Sequence, residues 1–199
     1  SKILEEVYHF NHKDIDPKLL HFLTKGERDK AYDLLKEIIS VDTNEIYIFD
    51  PYFFENVEDK DEAILDIVMI LTSSVGVEKN IIFNIKIDDD ETEEEVLERW
   101  KVFMKNLSER FKEEGIYYDI NDDFNFIETD EKFHDRFIFR MDNSAKIAGF
   151  HLGTSLDSLG NNYSVISKLS SKDTKEIFKI LSSQVINENN INCEVKLGD

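Results

Sequence analysis

The chain has 199 residues, of which 41% are hydrophobic and 12% aromatic, with seven glycines and two prolines. This composition excludes an intrinsically disordered chain, because its apolar surface can offset the entropy lost on ordering. The formal net charge of −19 argues against an extended nucleic-acid-binding face, which would need many Lys and Arg side chains. A local basic spot that holds one phosphate is still compatible with this charge.

The sequence also argues against a membrane-spanning protein and against disulfide or thiolate metal sites. Apolar runs such as Ile64 to Leu71 are far shorter than the roughly 20 residues of a membrane span. Cys193 is the only cysteine, so we expect no disulfide, no thiolate metal site and a reducing, cytoplasmic setting. The sequence predicts one domain over 1–199, with a core at about 26–186 and a polar tail at 187–199. The start of the sequence suggests a domain excised from a longer protein with other fused parts.

The first half of the chain alternates between helical and strand patterns. Gly26 to Ser40 carries apolar residues at helical spacing, and Glu45 to Phe49 follows as a short strand that is apolar on both faces. Ile64 to Leu71 then has a helical apolar face, and Ile81 to Ile87 is a β-branched strand. This order is typical of a sheet with parallel strands covered by helices.

The acidic run Asp88 to Glu95 holds seven carboxylates in eight residues. A divalent cation site is one interpretation, and a solvated helix start favoured by the helix dipole is the other. The run lacks the glycine turn of a calcium loop, so we favour the helix start and predict no metal. Thr92 and Glu95 form a predicted capping box for a long helix that ends at Gly115.

The second half is richer in strands. Tyr117 to Ile120 is predicted as a third parallel strand, and Phe124 to Ile127 as a short extra strand or loop. A hairpin is predicted over 133–152, with its polar turn at Asp142, Asn143 and Ser144. A further strand over 163–169, a closing helix over 173–186 and a tail that frays or pairs at an edge complete the chain. The predicted fold class is α/β, with a mixed, largely parallel sheet flanked by helices on both faces.

Candidate chemistry is concentrated in the predicted hairpin. Residues two apart in a strand share a face, so His134 and Arg136 project to one side and Asp135 to the other. An imidazole can attack phosphorus or move a proton, and a guanidinium can hold two phosphate oxygens. Ser155, at the end of the second hairpin strand, is placed to add a hydroxyl, and the turn carboxylate Asp142 is a candidate to orient an imidazole.

These residues resemble the phospholipase D superfamily, whose signature is His-x-Lys, an Asp after four further residues, and Gly-Ser-x-Asn on the next strand. His134 and Arg136 take the first two positions, while Asp142 lies one residue late. The segment Thr154-Ser155-Leu156-Asp157 is similar to the Gly-Ser-x-Asn element. The upstream segment 45–53, with its Asp-Pro-Tyr-Phe tetrapeptide, looks like the early strand and turn of the same superfamily.

The resemblance, which is closest to single-motif bacterial phospholipase D-like domains, covers 26–186 as an order of elements. It implies a two-step, metal-independent phosphodiesterase without cofactors, acting on a nucleic acid or nucleotide. Catalytic roles would fall to His134, Arg136 and Asp142, and phosphate binding to Arg136, Thr154, Ser155 and Asp157. Some similar domains belong to systems thought to act against phage.

The family mechanism uses two histidines, and this chain carries one motif. Its other histidines, His9, His12, His21 and His151, lack a partner of the family type. The simplest active assembly is therefore a homodimer that joins two motifs across a two-fold axis.

Two other interpretations stay open at this point. One is a catalytically degenerate module that binds a phosphate ligand or a partner protein, as Arg in place of Lys and the displaced Asp142 suggest. The other is a structural module in which His134 is a packed core residue.

Overall fold

The computed structural model describes residues 20–39, 42–53, 57–74, 76–84, 92–116, 123–129, 131–186 and 191–194. Within them lie eight strands, four α-helices and one short 3-10 helix, Leu156–Ser158. The strands are β1 (Leu20–Leu23), β2 (Glu45–Phe49), β3 (Glu78–Phe83), β4 (Phe124–Thr129), β5 (Arg136–Met141), β6 (Ile147–Leu152), β7 (Ser164–Lys168) and β8 (Ile191–Glu194). The helices are α1 (Arg28–Ile39), α2 (Val57–Thr72), α3 (Glu93–Glu113) and α4 (Ser171–Gln184).

All eight strands form one sheet in the order β1-β7-β6-β5-β2-β3-β4-β8. The central pairs β2–β3 and β3–β4 are parallel, and the five remaining neighbours pair antiparallel. The predicted α/β class with a mixed sheet is confirmed, whereas the expectation that the sheet is largely parallel is wrong, since most of its strand pairs are antiparallel. The parallel part is confined to the strands joined by helical crossovers, because the hairpin β5–β6 and the short β6–β7 connection can only return the chain antiparallel.

Helices cover both faces of the sheet, as predicted. On the first face, α1, α2 and α3 pack against the inward side chains of the central strands, including Ile48, Ile81 and Ile138. On the second face, Phe178 and Leu181 of α4 pack against a separate aromatic cluster that contains Phe49 and Phe139. Strand alternation sends neighbouring residues to opposite faces, and both faces are covered, so 46–49, 81–83 and 137–139 are apolar at every position.

The predicted start and end of the long helix α3 are confirmed. The Thr92 side chain accepts from the Glu95 amide, and the Glu95 carboxylate accepts from the Thr92 amide, which is a capping box. Gly115 follows the helix with a φ of 67°, in the left-handed region that glycine adopts without strain. The strand predicted at 117–120 lies outside the described residues, as do residues 88–91 of the acidic run.

Three further findings concern the edges and the surface. β4 occupies the third parallel position, and the tail residues Ile191–Glu194 pair with it as an edge strand. β1 forms the other edge beside β7, in a region for which the sequence predicted no strand. No helix among the described residues is long and apolar enough to cross a bilayer.

Candidate functional site

The predicted site residues other than Asp142 lie at the end of the sheet where the parallel strands terminate. β2 and β5 are antiparallel, with Phe49 paired to Phe137, so the turn after β2 and the residues before β5 meet at this end. The turn is the Asp50-Pro51-Tyr52-Phe53 segment, anchored by Phe53, which is fully buried. Carboxyl ends of parallel strands are where ligands usually bind in open α/β sheets.

Tyr52 joins the two central candidates. Its hydroxyl lies 2.9 Å from Nδ1 of His134, which is hydrogen-bond distance, and the Arg136 guanidinium carbon lies 4.6 Å from the centre of its ring. The ring face attracts the cation, and the hydroxyl fixes the imidazole plane. His134 and Arg136 are therefore brought together by Tyr52, although β5 begins only at Arg136 and His134 lies in the segment before it, not within the strand as predicted.

His134 is exposed to solvent, and Asp135 projects to the opposite side. A carboxylate oxygen of Asp135 lies 3.9 Å from Nε2 of His151, whose ring packs against Phe137 on the second face of the sheet. His151 is thus on the far side from the Tyr52 contact. With Nδ1 engaged by Tyr52, Nε2 is the His134 nitrogen left to meet a substrate.

Arg136 is half-buried, and its Nε is buried without a hydrogen-bond acceptor among the described residues. A buried N–H that lacks an acceptor costs free energy unless a ligand or water supplies one. Nε itself is closed to solvent, so a phosphate would meet the other N–H groups of the guanidinium.

Two residues before Tyr52 lies a fully buried carboxylate, Asp50. One of its oxygens accepts from the Ser155 hydroxyl and from the Leu156 amide, both at 2.7 Å. The other accepts from the Tyr52 amide at 3.1 Å. Asp50 therefore fixes the turn that presents Tyr52 and also the loop that follows β6.

Burial raises the pKa of Asp50 to about 6, since the charged carboxylate loses its hydration. The bonds from Leu156, Ser155 and Tyr52 oppose this shift, and the nearby negative charge of Asp157 adds to it. Among the described residues no cation forms a salt bridge with Asp50. The ionised form of Asp50 is therefore stabilised by three hydrogen-bond donors and not by a cation among these residues.

The Thr154-Ser155-Leu156-Asp157 segment is tied into the fold. Ser155 is buried and donates to Asp50, so its hydroxyl is engaged within the protein. Asp157 is buried as well: its carboxylate accepts from the Ser158 hydroxyl at 2.9 Å and its carbonyl accepts from Arg28 at 2.9 Å. Thr154 is half-buried, and its hydroxyl makes no hydrogen bond with the residues described.

The structure does not bring Asp142 to His134. Asp142 lies in the β5–β6 turn, at the other end of a six-residue strand that is about 20 Å long. Its carboxylate accepts from the Ser144 hydroxyl at 2.6 Å and from the Ser144 and Lys146 amides at 2.9 Å. These bonds, led by that of Ser144, lower the pKa of Asp142. Its observed partners belong to the turn.

Sequence reasoning missed Asp50 as a site residue and did not foresee the contacts of Tyr52. The available signal was a carboxylate directly after a strand that is buried on both faces, at the edge where site residues collect. The part of the chain that the structure describes contains no group of three or more His, Cys, Asp or Glu side chains that would hold a metal ion.

Comparison with known proteins gives structural similarity at low identity. TrmBL2, an archaeal chromatin protein, aligns with 92% of this chain and 60% of its own, at 18% identity and a TM-score of 0.41. A variant of yeast tyrosyl-DNA phosphodiesterase aligns with 83% of this chain and 36% of its own, at 12% identity and a TM-score of 0.43. No family model and no curated protein matches the sequence. At these values the similarities assign no function to the chain.

Proposed function

We propose that the chain is a metal-independent phosphodiesterase of phospholipase D type, with His134 as the reacting group and Arg136 as the phosphate-binding group. The observation that carries this proposal is the Tyr52-centred arrangement, in which one aromatic side chain contacts both His134 Nδ1 and the Arg136 guanidinium. It leaves the exposed His134 imidazole beside the half-buried Arg136 cation.

The Tyr52 hydroxyl suits both protonation states that the reaction needs. When it accepts from Nδ1–H, the neutral imidazole carries its lone pair on Nε2 and is a nucleophile. When the imidazole is protonated, the same bond persists and Nε2–H is a general acid. In the first step Nε2 attacks phosphorus, a P–N bond forms, and the P–O bond to the leaving alcohol breaks.

The leaving oxygen must receive a proton in that step. We assign this to the partner subunit's His134, in a homodimer that faces two such sites toward each other. The same partner imidazole then removes a proton from water, the water oxygen attacks phosphorus, and the P–N bond breaks. The products are an alcohol and a phosphomonoester, and His134 is regenerated.

The substrate class that fits is a nucleic acid end or a nucleotide in the cytoplasm. The charge of −19 disfavours tracking along many phosphates, whereas one phosphodiester at Arg136 needs only a local positive potential. Within the predicted phosphate-binding set, Thr154 has a hydroxyl that makes no hydrogen bond with the described residues, and we assign this hydroxyl to a nonbridging phosphate oxygen. Ser155 and Asp157 would act by holding this loop.

The decisive variant is His134→Ala. We expect cleavage of a chromogenic phosphodiester in EDTA to fall by roughly 1000-fold or more, because nucleophile and acid are lost together. The matched control is His151→Ala, which removes an imidazole from the other face of the same sheet and should leave the rate within about twofold. Turnover by His134→Ala at the unaltered rate, with the fold intact by circular dichroism, would exclude the mechanism.

One observation favours a second function, phosphate or partner binding without catalysis. The Ser155 hydroxyl, which the resemblance assigns to phosphate, is buried and bonded to Asp50. Under this alternative, the chromogenic diester, single-stranded DNA and single-stranded RNA all remain uncleaved in EDTA. Arg136→Ala would then weaken binding of a phosphate ligand while no variant changed any rate.

A further inference from the structure

A concave site separate from His134 lies at the opposite end of β5. A cavity of about 270 Å³ opens there, between the β5–β6 turn, the end of β7 and the start of α4. Three cationic side chains line it: Arg140, Lys146 and Lys168. The whole chain carries 24 Lys and Arg against 43 Asp and Glu, so a wall with three cations reverses the general charge of the protein.

Two carboxylates share this wall, Asp42 and Asp142. The Asp142 carboxylate is already engaged by three donors of its own turn. Among the residues that the structure describes, none of the three cations forms a salt bridge with either carboxylate. Asp142 attracts Lys146, and Glu37, which lines an adjoining cavity, attracts Arg140, so part of this positive charge is offset. N–H donors of all three cations still border the cavity, where an anion would meet them.

Arg140 is the most fixed of the three cations. It is half-buried, donates from Nη1 to the Ile38 carbonyl at the end of α1, and lies 5.4 Å from the centre of the Phe150 ring. One of its five N–H donors is used in this bond, and the guanidinium is held in place for further acceptors. A preorganised cation loses little conformational entropy when it binds a ligand.

The remaining lining adds hydroxyl groups and an apolar extension. Ser171 and Thr174, in the first turn of α4, border the cavity. An adjoining cavity of about 150 Å³ shares Arg140 and Lys168 and is also lined by the apolar side chains Leu34, Ile38 and Phe150 and by His21 and Glu37. The pair therefore offers a charged compartment beside a smaller one of mixed polarity.

We propose that this cavity binds the phosphate group of a small phosphomonoester, with Arg140, Lys146 and Lys168 as its ligands and the adjoining compartment receiving the ring or carbon portion. Both cavities are below the roughly 300 to 1000 Å³ of typical drug-sized pockets, which limits the ligand to the size of a mononucleotide or sugar phosphate. The site is separate from His134 and does not depend on the function proposed for it.

Isothermal titration of the full chain with adenosine monophosphate, ribose 5-phosphate, inorganic phosphate and adenosine tests this site. We expect at least one phosphate-bearing probe to bind with a Kd below about 1 mM. Adenosine, which lacks the phosphate, should have a Kd at least about tenfold higher. Lys168→Ala and Lys146→Ala should each weaken phosphate binding by about tenfold. Arg140→Lys, which keeps the charge but not the fork geometry, should weaken it too.

The matched control is Lys179→Ala, an equal charge change on the exposed face of α4 away from the cavity. It should leave binding within about twofold. Equal losses in Lys179→Ala and Lys168→Ala would mean general attraction of anions and would overturn the proposal. So would the absence of binding by every phosphate probe, or its abolition by His134→Ala, which would move the phosphate to the other site.

Discussion

At the scale of single residues, Asp50 makes a testable contribution to pH dependence. Its pKa lies near 6 in the folded protein, against an ordinary value of 3.8. At pH values between 3.8 and about 6, the Asp50 carboxyl is largely protonated in the folded state and largely ionised in the unfolded state. Because the folded state binds more protons, the contribution of Asp50 to the unfolding free energy falls as the pH rises. The loss is complete above about pH 6 to 7 and amounts to about 3 kcal/mol.

Asp50→Asn isolates this effect, because the amide stays neutral while the other carboxylates titrate equally in both proteins. The unfolding free energy of the wild type minus that of Asp50→Asn should fall by up to about 3 kcal/mol between pH 4 and pH 7. Urea unfolding at intervals across this range measures the difference. A constant difference would show that Asp50 titrates normally.

The same residues show what sequence can and cannot predict about the site. Two-residue alternation, which is local, predicted a common face for His134 and Arg136; in the structure both contact Tyr52, although His134 precedes β5. The contacts from Tyr52 to His134 and from Asp50 to Ser155 join residues 82 and 105 positions apart. No local pattern encodes such pairs, since they depend on β5 lying antiparallel beside β2.

At the scale of elements, the start of α1 packs directly against the loop that follows β6. The Gly26 amide donates to the Gly160 carbonyl at 2.9 Å. Gly160 has a φ of 73°, and a Cβ there would lie 2.6 Å from both Arg28 N and Arg28 Cα. This close approach holds the loop carrying Ser155 against the first helix.

Gly160→Ala should therefore lower the unfolding free energy by about 2 to 4 kcal/mol, through backbone strain together with a backbone clash. Gly115→Ala is the matched comparison. Gly115 has a similar φ of 67° but nothing within 4 Å of its added Cβ, so only the strain of about 1 kcal/mol applies. Thermal or urea unfolding of both variants measures the difference, and equal losses would argue against the close packing of α1 on this loop.

Elements with strong periodicity were predictable, and edge elements were not. The helices α1 and α3 and the strand β2 follow from apolar spacing and capping residues, which act within a few residues. β1 and β8 are four-residue edge strands whose pairing depends on β7 and β4, at distant sequence positions. Similarly, the sequence identified β5 and β6 as a hairpin but left open which central strand it would join.

At the scale of the whole molecule, the proposed mechanism requires two copies of one site. The Tyr52, His134 and Arg136 group lies at a sheet edge with His134 exposed, so a second protomer has access to it. Each protomer carries a charge of −19, which opposes association at low ionic strength. We therefore expect the dimer fraction to rise with salt.

Mixed dimers separate a shared site from two independent ones. Wild-type and His134→Ala chains, mixed in equal amounts and allowed to re-equilibrate, give about one quarter wild-type dimers and about one half mixed dimers. If each reaction needs both imidazoles, activity at constant total protein falls to about one quarter of the wild-type value, because mixed dimers are inactive. Sites that each work alone would retain about one half. A value near one half, measured at concentrations where analytical ultracentrifugation shows dimers, would mean that the proton donor comes from within one chain, and the two-fold arrangement would have no catalytic role.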